Sequence, residues 1–291
     1  LKLKSRAERL MLKNNGSSEF SYEIITKDKF VTQAYLTGNG IPCVPVSALV
    51  DKDGLVMSRG DIRPLNTIFY YPEEFVLKNL LLESGNGFLL CKPHSGSQLL
   101  VNNQKTDLSQ LISKLGQGRW VLQKRIKPHR MLREINDTAL NITRIVTIYK
   151  ANKPFYVGGF QALATGGEEI DSWDKGAVFV GIDPSTSTLK GQGFYHPAIK
   201  DKSMVGEHPD SKVKFDGFYV PYLKEAVDLC LKAHRLFYNH FIIGWDVAIT
   251  DAGPLIVEAN EKPGMNALQC LEGGKRDFIV SIFSELINSS I

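Results

Sequence analysis

The segment IIGWDVAITDAGPLIVEANEKPGM, residues 242–265, holds the side chains whose types and spacing point most directly to chemistry. Two strand-like runs flank Asp251-Ala252-Gly253, and a three-residue loop there fixes which residues face each other. Trp245 then opposes Ala259, Val247 opposes Val257 and Ile249 opposes Leu255, an apolar face. On the other face Asp246 opposes Glu258 and Gly244 opposes Asn260. A two-residue loop would slip the pairing by one and mix the faces. Two carboxylates opposed across a ladder repel, unless a cation sits between them or one is protonated. Oxygen donors from Asp246, Glu258 and Asn260, with no sulfur or imidazole among them, suit Mg²⁺ bridged to phosphates. The plain alternative is a solvated polar face on an edge hairpin.

A second candidate is Lys92 in GFLLCKPHSGSQ, at the end of a buried strand and followed by a Ser/Gly segment able to fold over phosphates. It does not match GxxxxGK[ST], so it is not a Walker loop. A strand ending in a polar turn is the competing account. A lysine for phosphates and acids for their magnesium are complementary parts.

The elements that must position these groups follow from pattern. Residues 1–14 predict a short basic helix running into a turn at Asn14–Ser18. Asp28 caps a helix through Leu36 that Gly38-Asn39-Gly40 stops, and VSALV reads as a strand. Pro72-Glu73-Glu74 predicts a helix start with Phe75, Val76, Leu80 and Leu81 inward, closed by Gly85-Asn86-Gly87. From Trp120 onward WVLQKRI, ITRIVTIYKA, FYVGGFQAL and GAVFVGI favour strands. A helix is expected over about 222–238, with His234 on its apolar stripe, and a last one near 276–287. The class is α+β in two unequal lobes: an arm at 1–25, a smaller lobe at 26–118 and a larger one at 119–291.

Composition narrows the partners. The 35 Lys+Arg against 31 Asp+Glu leave +4 spread along 291 residues, which argues against a nucleic-acid track. Cys43, Cys91, Cys230 and Cys270 are scattered without a CxxC pair, as expected of free thiols in a reducing cytoplasm. No apolar run reaches the roughly 18 residues of a membrane helix. GxSxG and HExxH motifs are absent.

In order, Asp28-Lys29, Gly40-Ile41-Pro42, KPHSGS, VLQKRI, NITRIVT, GWDVAITDAGPLIVEAN and KPGM resemble the ATP-grasp superfamily. AHRLFYNHFIIGWD and NITRIVT are most similar to its sugar-transfer-associated subgroup, related to α-L-glutamate ligases, and EANEKPGM echoes D-alanine:D-alanine ligases. The resemblance implies an ATP-grasp fold with ATP held between two antiparallel sheets, and ATP and Mg²⁺ as cofactors. It implies phosphate contacts from Lys29 and Lys92, a closing loop at Ser95, Gly96 and Ser97, and adenine held by Gln123, Lys124 and Ile126. Asp246, Glu258 and Asn260 would hold metal, and Arg144 would stabilise the transferring phosphoryl or acyl group, with a substrate role for Arg144 and His129. The activity implied is an ATP-dependent carboxylate–amine ligase working through an acyl phosphate on small molecules, an amino acid and a sugar derivative, in surface-polysaccharide or glycoconjugate synthesis. A phosphotransferase acting on a hydroxyl and a non-catalytic nucleotide-binding module are the alternatives. The chain departs from the pattern at Gly244, where D-alanine:D-alanine ligases carry arginine, and at Asp171-Ser172 and Lys175-Gly176, where the subgroup has Asp-Asn and Gly-Gly. Glu134 is the candidate for the ribose hydroxyls.

Overall fold

The β-branched and aromatic runs pair into two antiparallel sheets in this computed structural model. It describes residues 24–274 except 58–59, 83–86, 95–97, 151 and 200–203, together with 277 and 280. The expected helix at 1–14 and most of the one at 276–287 lie outside the described residues.

The first sheet contains β1 (Ala48–Val50), β2 (Leu55–Met57), β3 (Ile62–Arg63), β4 (Phe75–Asn79), β5 (Phe88–Pro93), β6 (Leu99–Val101), β7 (Gln104–Thr106) and β8 (Trp120–Lys124). Their order is β3-β2-β1-β8-β4-β5-β6-β7. Helix α3 (Leu108–Leu115), started by a reciprocal Asp107/Gln110 capping box, lays Leu111 and Leu115 on Phe75, Leu77 and Leu122. Where a helix was expected after Pro72, β4 forms instead and pairs with β5 on one side and β8 on the other. Its alternation decides the matter: Phe75 and Leu77 enter the core while Val76 and Lys78 point into a cleft.

The second sheet contains β9 (Thr143–Lys150), β10 (Lys153–Leu163), β11 (Val178–Asp183), β12 (Thr188–Phe194), β13 (Met204–Val205), β14 (Ile242–Thr250) and β15 (Gly253–Asn260). The order is β13-β12-β11-β10-β9-β14-β15. Helix α5 (Leu223–Leu236) sets Ala226, Cys230 and Ala233 against Trp245, Val247 and Ile249. His234 is core, as its place on the apolar stripe predicts, and it bonds Thr147 Oγ1 at 2.6 Å and the His240 carbonyl at 2.8 Å. Helix α6 (Met265–Glu272), which the pattern did not predict, rests Leu268 on Val146 and Phe160.

The lobes are not the sequence blocks expected. β8 lies beyond residue 118 yet sits centrally in the first sheet, between β1 and β4. Helices α1 (Ile24–Lys27) and α2 (Lys29–Gly38) precede that sheet but pack Ile25, Tyr35 and Leu36 into the core of the second. Asp28 caps α2 as anticipated, accepting from the Phe30 and Val31 amides. Residues 42–47 then stitch the sheets together. The Ile256 amide donates to the Pro42 carbonyl and the Val44 amide to the Ile256 carbonyl, both at 3.0 Å, while the Ser47 amide donates to the Leu122 carbonyl at 2.8 Å. Among the described residues, no helix is long and apolar enough to cross a membrane.

The β14–β15 turn corrects one expectation and keeps its result. Thr250 pairs with Gly253, so the loop has only Asp251 and Ala252, with Gly253 at φ +114°. A bulge at Val257 restores the alternation: Val247 pairs with Ile256, but Asp246 still pairs with Glu258 and Gly244 with Asn260. The extra residue undoes the one-step slip that the shorter loop alone would impose.

Candidate active site

Phe160 on β10, Arg144 on β9, Asp246 on β14 and Glu258 on β15 form one continuous cross-strand row. The row lines a cleft of about 700 Å³ whose opposite wall comes from β4, β5 and β8. Arg144 Nε donates to Asp246 Oδ1 at 2.6 Å, and Asn260 Nδ2 donates to Asp246 Oδ2 at 3.3 Å. Lys29, at the first turn of α2, lies 3.3 Å from Glu258 Oε1 and donates to the Leu82 carbonyl at 2.8 Å. Each carboxylate therefore has its own cation, which offsets the repulsion across the ladder. Burial raises the Asp246 pKa, Arg144 opposes that rise and Glu258 adds to it.

Gly244 makes room for this arrangement. A Cβ there would stand 2.6 Å from the Pro263 side chain and 3.2 Å from Arg144 Nη1. The guanidinium thus occupies space that any side chain at 244 would contest.

The two lysines separate. Lys92 is not itself in the lining, but it donates to Asn103 Oδ1 at 3.0 Å and lies 3.3 Å from Oε1 of Glu169, a lining residue in the connection between β10 and β11. Lys78, which the motifs did not single out, lines the cleft, and burial lowers its pKa against the opposing influence of Glu258, Asp246 and Asp171. The signal for Lys78 was available in the period-two run of β4 followed by Gly85-Asn86-Gly87 and a second strand. Leu82 and Gly87, which flank that connection, line the cleft. Ser95, Gly96 and Ser97 lie outside the described residues.

Gln123, Lys124 and Ile126 line the other end of the cleft beside Val44, Val76 and Leu90, a slot with apolar walls. Gln123 Nε2 donates to the Val44 carbonyl at 3.3 Å, and Lys124 pairs with Glu73 at 2.7 Å. His129 is absent from the lining. It caps α4 (Arg130–Ile135), its Nδ1 accepting from the Met131 amide at 3.2 Å, and it packs on Tyr222, which accounts for its burial. Glu134 is exposed and also lies outside the lining.

Asp171 also lines the cleft. Its Oδ2 accepts from the Ile142 amide at 2.6 Å. Burial pushes its pKa up to about 6; Asp246 adds to the rise, and the Ile142 amide and Lys78 oppose it. Beyond it the Phe160, Phe179 and Trp173 rings stack in sequence at 4.7 and 5.1 Å, and Arg144 Cζ lies 6.0 Å from the Phe160 centroid.

The donor set fits a hard divalent ion: two carboxylates and an amide, all oxygen, on one face of one hairpin. Among the described residues, no three His, Cys, Asp or Glu side chains gather as a metal cluster.

Two antiparallel sheets closing on a cleft, with acids on one wall and lysines beside the other, define an ATP-grasp protein. The chain belongs to the sugar-transfer associated ATP-grasp family, which it matches over residues 5–275. No curated protein sequence matches it significantly. Among solved structures it is similar to D-alanine-D-alanine ligase from Coxiella burnetii, at 11% identity and TM-score 0.45 over 81% of this chain and 48% of that one. It is also similar to N5-carboxyaminoimidazole ribonucleotide synthetase from Thermotoga maritima, at 12% and 0.44 over 84% and 43%. A third is the biotin carboxylase domain of the Hydrogenobacter thermophilus 2-oxoglutarate carboxylase, at 13% and 0.47 over 86% and 43%. The chain spans about half the length of these proteins.

Proposed function

We propose that the chain is an ATP-dependent ligase that joins a carboxylate to an amine through an acyl phosphate. The observation that carries this reading is the opposition, in one cleft, of Asp246, Glu258 and Asn260 to Lys29 and Lys78. Family membership supports ATP as the phosphoryl donor. The apolar slot of Val44, Val76, Leu90 and Ile126 suits the adenine, with Gln123 and Lys124 at its rim. Lys29 and Lys78 neutralise the phosphates, Lys78 in place of Lys92. Asp246, Glu258 and Asn260 would hold Mg²⁺, which would supply positive charge to offset that of the phosphates. Arg144, one strand away, steadies the charge that develops on the group being transferred.

The products lie in polysaccharide or glycoconjugate assembly in the cytoplasm, with an amino acid and a sugar derivative as partners, a reading the sugar-transfer association of the family supports. ADP release with a panel of acids and amines tests the ligase. Hydroxylamine trapping separates it from a phosphotransferase, since only an acyl phosphate yields a hydroxamate. ADP release that depends on a hydroxyl acceptor and gives no hydroxamate sinks the ligase; nucleotide binding with no turnover under any pair favours a binding module.

A further inference from the structure

The centre of the cleft is rich in fixed charge, but its far end has a different character. Asp171 meets the cleft as a carboxylate fixed by a backbone amide, and no described lysine, arginine or histidine forms an ion pair with it. Asp246 and Lys78 act on it with opposite signs, so it is the unpaired Asp171 carboxylate itself that disfavours an anionic guest and favours a cationic one. The strip of stacked rings begins two residues on, at Trp173. That strip is rigid: Trp173 Nε1 donates to the Phe194 carbonyl at 3.2 Å, and the Gly176 and Ala177 amides bond back to Trp173 and Ser172 at 3.1 and 3.2 Å. A fixed acid beside a fixed apolar strip selects a guest whose charge and apolar body are themselves held in a fixed relation. The cross-strand row places the strip next to the reacting centre, because Phe160 neighbours Arg144 and Arg144 neighbours Asp246.

We propose that this end of the cleft is the acceptor subsite, and that it takes a primary ammonium group carried on a ring, with the ammonium at Asp171 and the ring along Trp173, Phe179 and Phe160. This rests on the ligase reading and names the chemical class of its amine. A saccharide ring and an aromatic ring share that chemistry, and the test distinguishes them.

The test is calorimetric titration of the full chain, first with ADP and Mg²⁺ and then, at saturating nucleotide, with two pairs of probes of matched shape. Glucosamine is compared with glucose, and benzylamine with benzyl alcohol. In at least one pair the amine binds about tenfold more tightly, the gain of a charge-assisted over a neutral hydrogen bond. A preference confined to glucosamine assigns a saccharide acceptor; one confined to benzylamine assigns an aromatic one. Asp171→Asn keeps an oxygen for the Ile142 amide and cuts the preference to about twofold or less. The paired comparison uses the unaltered chain, so it holds whatever the fold of the variant, and a melting curve checks that variant separately. ADP binding with no preference in either pair overturns the acceptor assignment alone. A preference that survives Asp171→Asn in a folded variant overturns the role of Asp171. Failure to bind ADP removes the ligase reading and this assignment with it.

Discussion

Two hairpins bring chemistry into the cleft, and they differ in how firmly their own residues dictate the outcome. In β14–β15 one face is core, with Trp245, Val247, Ile249, Ile256 and Ala259 all buried, so the polar residues between them have only one direction to point. The bulge at Val257 shows how strongly that face governs, since the ladder admits an extra residue rather than expose it. In β4–β5 each strand carries a lysine, and local sequence suits both for phosphate. Position in the sheet separates them: Lys78 is on the strand next to β8 and Lys92 on the strand beyond it. Register set by a buried face is a local property, whereas strand order is a property of the whole fold.

The first way to break the comparison is to exchange the lysines' fates. Lys78→Met is expected to lower ATP turnover by about 100-fold or more, as Asp246→Asn does, because each removes a charge that acts on the transferring group. Lys92→Met should cost less than about threefold. Equal losses at Lys78 and Lys92 in steady-state ADP release would end the distinction.

The second way acts on the other hairpin. Ile256→Asp puts a carboxylate on the buried face of the hairpin, opposite Val247. A buried charge without its partner costs about 3–5 kcal/mol, and denaturant unfolding should register that loss or find no folded protein. A variant of unchanged stability would mean that the core does not set this register.

Acid sharpens the same point from beneath the sheet. His234 packs beside Trp245, and burial lowers its pKa from 6.5 to about 4. Its neutral form is favoured in the fold, so the stability it contributes is complete above pH 6.5 and is lost as pH falls toward 4. The loss amounts to about 3 kcal/mol from this group. Unfolding curves across that window should show the decline, and His234→Gln should flatten it.

The smallest effect belongs to the displaced lysine. Glu169→Gln breaks its partly buried ion pair with Lys92 and should shift stability by no more than about 1 kcal/mol. A double-mutant cycle with Lys92→Met measures the coupling, and a value of several kcal/mol would make that pair a major tie between β5 and the connection after β10.

Much of the fold was legible because patterns were local. The Asp28 cap, the strands from Trp120 onward and the apolar stripe carrying His234 all follow from neighbours within one turn or one ladder. The facing of Asp246 and Glu258, and of Gly244 and Asn260, was legible for the same reason, even though the loop is one residue shorter than the spacing suggested. Lys78 was missed because Phe75, Val76, Leu80 and Leu81 also fit a helical face, and only pairing with β8 settles the strand. Asp171 carried no periodic pattern, only its match to the first residue of the subgroup's Asp-Asn pair. Its placement comes from a backbone amide 29 residues earlier in the chain, a contact that periodicity does not encode.

The stitching of α1 and α2 into the far lobe has a consequence for how the chain assembles. Strands β1 to β8 are continuous in sequence and can pair as soon as they leave the ribosome. Helix α2 cannot finish docking then, since Gln33 bonds the Val257 carbonyl 224 residues later and Tyr35 the Leu236 carbonyl 201 residues later. Closing loops of that span is slow, so the beginning of the chain waits for its end. Pulse-labelled amide exchange during refolding should find the strands at 75–79 and 120–124 protected well before the amides of α2.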